Sequence, residues 1–77
     1  MKIYLFTGYC TDGNGFAIIA AKTPAQAHTV LEEGKKKPYG VRGKISSDLE
    51  WDVPTCIGTA KANMKAPQVI DTQSHIR

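Results

Sequence analysis

Lys2-Ile3-Tyr4-Leu5-Phe6-Thr7-Gly8-Tyr9, Cys10-Thr11-Asp12-Gly13-Asn14-Gly15 and Phe16-Ala17-Ile18-Ile19-Ala20 follow one another at the start of the chain. Ile3, Leu5 and Thr7 alternate against Tyr4 and Phe6, which is the period of a strand, and a second apolar run begins at Phe16. The segment between them supplies an Asp-Gly and an Asn-Gly pair, residues that tolerate the positive φ of tight hairpin turns. The stretch predicts a β-hairpin, to which the rest of the chain has to be fitted.

The next signal is Thr23-Pro24-Ala25-Gln26. It combines an N-cap hydroxyl, a proline at the first helical position where no N–H is needed, and a glutamine placed to close a capping box. A helix is predicted from here, with Ala27, Val30 and Leu31 on one face, Glu32 and Glu33 solvated, and Gly34 ending it in a positive-φ conformation. Three turns are too few to stand alone, so packing on the sheet must hold this helix. His28 lies one turn before Glu32, the spacing of a surface ion pair.

Lys35 to Gly40 reads as a basic turn. Val41 to Ser46 and Leu49 to Val53 then predict a second hairpin around Ser46-Ser47-Asp48. Leu49, Trp51 and Val53 would point one way, with Trp51 in the core, and Asp48, Glu50 and Asp52 the other. Pro54 breaks the strand, Thr55 to Ala66 reads as irregular, and Pro67 to Ile76 predicts a final strand at a sheet edge, where the proline does no harm.

The fold class expected is α+β: a small two-layer domain, an antiparallel sheet of four to five strands with one helix on one face, in the order ββα then ββ(β). With 77 residues there is room for a single domain, 1–77. A domain of this length buries only about 60% of the surface of its unfolded chain. A hydrophobic fraction of 42% and a charged fraction of 22% are those of a chain that folds rather than one that stays disordered.

Two cysteines, Cys10 and Cys56, are too few for a disulfide framework and are expected to be reduced, as small hydrophobes. The apolar run Ile3 to Phe6 is far shorter than a signal-peptide core or the ~20 residues that span a bilayer, so a cytoplasmic location away from the membrane is expected. No cofactor is implied: Gly13-Asn14-Gly15 lacks the third glycine of a dinucleotide loop and no helix begins there. No metal site or catalytic residue is assigned either. Cys10, Cys56, His28 and His75 lack the short spacings of zinc ligands, and nothing local brings a cysteine and a histidine together for nucleophilic catalysis.

What remains is surface. The expected function is that of a small non-catalytic protein-binding module, docking through the helix-free sheet face or a strand edge, with Tyr4, Phe6 and Tyr9 as candidate docking residues. The alternative is nucleic-acid binding by the segment Lys35–Lys44, through Lys35, Lys36, Lys37, Tyr39, Arg42 and Lys44, cations interleaved with one aromatic. A net charge of +3 permits that alternative without requiring it. Asp48, Glu50 and Asp52 stand close enough in sequence to pair with Arg42 and Lys44 and neutralise part of the patch. A protein partner is thus expected first, nucleic acid second and a small enzyme third, since a two-layer domain of this size rarely offers an enclosed pocket; a homodimer through Pro67 to Ile76 is compatible with all three. In element order alone, the layout is similar to small accessory proteins of phages and mobile elements; no motif carries that likeness and no residue is assigned from it.

Overall fold

The computed structural model describes residues 1–11, 13–36, 44–60 and 67–76. Lys2–Cys10 (β1) and Gly13–Ala21 (β2) form the predicted hairpin, in unbroken register from the Lys2–Ala21 pair to the Cys10–Gly13 pair. Gly13 has φ 150°, which only glycine adopts readily, where the chain reverses.

Pro24–Gly34 forms the helix α1. Thr23 caps it, its Oγ1 accepting from the Gln26 N–H at 3.1 Å, while the Gln26 side chain accepts from the Lys22 N–H, one residue before the cap. Ala27, Val30, Leu31 and Gly34 form the buried stripe. The helix does not end on a left-handed Gly34. Lys35 stays right-handed with φ −71°, and the Gly34 carbonyl is satisfied instead by the Ile45 N–H at 2.9 Å. A chain returning to donate that bond removes the need for a glycine turn.

Three more strands follow: Glu50–Trp51 (β3), Thr55–Thr59 (β4) and Gln68–Ile76 (β5). The order β3-β1-β2-β5, with β4 also on β1, makes an antiparallel sheet of five strands, and with one helix beside it the domain is a small α+β fold in the expected order. The second hairpin is different from the expectation. Glu50 and Trp51 pair with Tyr9 and Gly8 of β1, residues 44–46 are not strand, and 41–43 lie outside the described residues. Thr55–Thr59, expected to be irregular, continues along the same edge of β1 below β3; residues 61–66 of that segment also lie outside the described residues. The final strand pairs with β2, with register shifts on either side of Phe16 to Ile18.

The core lies between the sheet and α1. Tyr4, Phe6, Ala17, Ile19 and Ala21 from the central strands meet Ala27, Val30 and Leu31 from the helix, with Ile45 closing the cluster and Trp51 and Val69 packed against it. Trp51 is half-buried rather than enclosed, and its indole N–H donates to the Ser46 carbonyl at 2.9 Å. Leu49 is buried, but Val53, expected beside it, is 79% exposed. Among the described residues Thr72 is the buried polar one, and its hydroxyl donates to the Phe16 carbonyl at 2.9 Å.

Candidate docking face

Alternation along β1 and β2 divides their side chains between two faces. Tyr4, Phe6 and Gly8, with Gly15, Ala17, Ile19 and Ala21, face the helix. The opposite face is built from the cross-strand pairs Ile3–Ala20, Leu5–Ile18, Thr7–Phe16 and Tyr9–Asn14. All eight of these residues are uncharged. Ile3, Leu5, Phe16 and Ile18 are half-buried, Thr7, Tyr9 and Asn14 exposed, and Ala20 buried. The α1 residues of the core cluster lie against the other face, and on this one Ala20 alone of the eight is fully buried.

Tyr4 and Phe6 therefore do not belong to a docking surface. They are 3% and 0% exposed, and the Phe6 ring lies 6.3 Å from the His28 ring of α1. Tyr9 does stand on the open face, 55% exposed. What places Tyr4 and Phe6 inward is Gly8, which shares their alternation. A Cβ on Gly8 would meet the Trp51 ring at 2.9 Å, and one on Gly15, its cross-strand partner, would meet Leu49 Cδ1 at 2.4 Å. The two glycines form the flat floor on which Leu49 and Trp51 rest, so their side of the hairpin is the covered one. Sequence reasoning missed Ile3, Leu5, Phe16 and Ile18; the parity of Gly8 and Gly15 was the signal that could have found them.

The rim is polar. On the β3 side Glu50 stands opposite Tyr9, and its carboxylate, accepting a hydrogen bond from the phenol and repelling its ionised form together with Asp52, raises the Tyr9 pKa above the ordinary tyrosine value. Tyr9, Cys10, Thr11, Asp48 and Glu50 line an open cleft of about 490 Å³ at the hairpin tip. On the other side Asp71 and Gln73 stand opposite Ile18 and Phe16.

Both margins of the sheet carry an aspartate that occupies a backbone donor. Asp52 accepts from the Val53 N–H, and Asp71 from the Thr72 N–H, each at 2.8 Å. With the irregular register of β4 and β5, these side chains hinder an incoming strand from adding to either edge.

The basic segment is only partly described. Lys37, Tyr39 and Arg42 lie outside the described residues. Lys35 is half-buried and bonded to Glu32 at 2.9 Å, a carboxylate also 3.7 Å from His28 in the expected i, i+4 pair. Lys36 and Lys44 are exposed, and the Gly34–Ile45 hydrogen bond brings the two ends of the segment together at the helix C-terminus. Among the described residues, no ion pair joins Lys44 to Asp48, Glu50 or Asp52.

Both cysteines are free thiols; Cys10 donates to the Gly13 carbonyl, and Cys56 is exposed on β4 rather than packed as a hydrophobe. Among the described residues no three metal-ligating side chains converge, and no helix is long and apolar enough to cross a membrane. Compared with protein-family models, with curated proteins and with solved structures, the chain matches none.

Proposed function

We propose that this chain is a small non-catalytic interaction module that docks on protein through the helix-free face of its sheet. The observation carrying this reading is the uncharged column Ile3–Ala20, Leu5–Ile18, Thr7–Phe16 and Tyr9–Asn14, with a polar rim at Glu50, Asp71 and Gln73. An apolar centre depleted of charge and ringed by polar groups is the composition of a protein interface. Asp52 and Asp71 each occupy one N–H at a margin of the sheet, which disfavours strand addition at those two points.

Capture experiments test this reading against the nucleic-acid alternative, which rests on Lys35, Lys36, Lys37, Tyr39, Arg42 and Lys44, of which Lys36 and Lys44 are exposed among the described residues. Immobilised protein is exposed to soluble extract of its source cells, supplemented with the same untagged chain, beside the variants Thr7→Glu and Lys36→Gln/Lys44→Gln. Thr7 is exposed, so a charge there disturbs the face without disturbing the core. The expected result is capture of protein by wild type and by the lysine variant, and its loss in Thr7→Glu. Capture of nucleic acid, lost with the lysines and kept by Thr7→Glu, would contradict the reading.

A further inference from the structure

The partner at this face can be specified further, on the assumption that the face is indeed the docking surface. We infer that it is a second copy of the same chain, so that two sheets pack face to face with a helix on each outer side.

The size of the face is the first argument. Four strand positions spaced ~4.8 Å apart, three of them filled by nine-residue strands at ~3.3 Å per residue and the fourth by β3 and β4 end to end, give at most about 570 Å² per copy and about 1,140 Å² in a pair. That clears the lower limit of about 1,000 Å² for a specific interface and belongs with weak, reversible association.

The second argument is the apolar surface the face leaves half-buried. Self-association is one of the ways, beside disulfides and a metal, in which a small core gains stability. Here the cysteines are free, and the described residues gather no metal-ligating cluster. Ile3, Leu5, Phe16 and Ile18 are left half-buried, and a second copy would finish their burial.

Charge selects the geometry. The carboxylates of the rim, Glu50 and Asp71, lie on opposite edges and at different heights, Glu50 level with Tyr9 and Asp71 level with Ile18 and Leu5. A two-fold axis parallel to the strands sets each edge against the opposite edge of its copy, so Glu50 meets the upper part of β5 and Asp71 meets the neighbourhood of Thr55, the residue paired with Leu5. Like charges are kept apart. An axis across the strands would bring the two Asp71 side chains to the same edge at similar height. Aligned packing of sheets some 10 Å apart, crossed by about 30°, is the ordinary outcome for such faces, and Leu5 and Ile18 would lie near its centre.

Sedimentation equilibrium on wild type, Thr7→Glu, Leu5→Glu and Val53→Glu, from about 1 µM to about 1 mM, spans the affinities expected of an interface this small. Wild type and Val53→Glu, the latter changed on an exposed edge, should pass from the mass of one chain to twice that mass. The two face variants should stay at the mass of one chain; the exposed Thr7 site serves should Leu5→Glu fail to fold. Wild type at the mass of one chain throughout would overturn the second copy. If Thr7→Glu nevertheless loses capture of a different protein, the docking face stands with another partner. If Thr7→Glu alters neither mass nor capture, the second copy and the docking face both fall.

Discussion

Gly8 and Gly15 carry more of this fold than their size suggests. They are cross-strand partners, and the space a side chain would need at either is filled by Leu49 and Trp51. Gly15→Ala would also drive a methyl within 2.7 Å of the Gln73 backbone oxygen, which cannot move without shifting β5. Equilibrium urea unfolding should show Gly15→Ala destabilised by about 1–3 kcal/mol. Gly58→Ala, where nothing lies within 4 Å and no unusual backbone conformation is held, should stay within about 0.5 kcal/mol of wild type. A second residue-scale prediction concerns Tyr9. Its phenol is held above the ordinary value chiefly by the hydrogen bond to Glu50, so ionisation should be harder in wild type than in Glu50→Gln. Carbon-13 NMR of the tyrosine ring as pH rises should show the Tyr9 transition move to lower pH in that variant. An unmoved transition would mean that the bond does not persist in solution. At this scale the sequence was half legible: strand alternation separated two sets of side chains, but the large aromatics Tyr4 and Phe6 were read as outward and are buried, whereas the glycines mark the covered side because a missing Cβ records what presses against it.

The helix shows where local chemistry suffices and where it does not. Its start is written in Thr23, Pro24 and Gln26, and the structure uses all three. Thr23→Ala should cost about 1 kcal/mol in thermal or urea unfolding, because the Gln26 N–H loses its acceptor. Its end could not be read in the same way, because the partner of the Gly34 carbonyl is Ile45, beyond the basic segment. On the exposed surface of α1 the Glu32 pKa is lowered, first by its hydrogen bond from Lys35. A depressed folded-state pKa stabilises above the unfolded value, near 4.5, and that contribution disappears as pH falls through the folded-state value. Glu32→Gln should therefore be less stable than wild type by a few tenths of a kcal/mol, roughly, at neutral pH. The two proteins should converge in acid. β3 was expected as a strand but with another partner, and β4 was read as irregular, for a different reason: a two-residue strand and a five-residue strand, separated by Pro54, share one long neighbour in β1, and local periodicity carries no record of which strand a segment pairs with.

For the whole molecule, element order and helix placement were enough to predict an α+β domain with a single helix layer, since one amphipathic helix can cover one face of a sheet and no more. Which face it covers is a tertiary fact, fixed by the fit of Ala17, Ala21 and Ala27 and by the returning segment that lays Leu49 and Trp51 on the glycines. That choice is what turns Tyr4 and Phe6 into core and Leu5 and Ile18 into surface, and the functional reading depends on it. The most direct measurement is the relaxation of leucine and isoleucine methyl groups by a soluble gadolinium chelate, in dilute solution where copies are apart. Ile3, Leu5 and Ile18 should relax strongly, while Ile19, Leu31 and Ile45 should be spared. Methyls of Ile3, Leu5 and Ile18 as protected as that of Ile19 in the lone chain would contradict an open docking face.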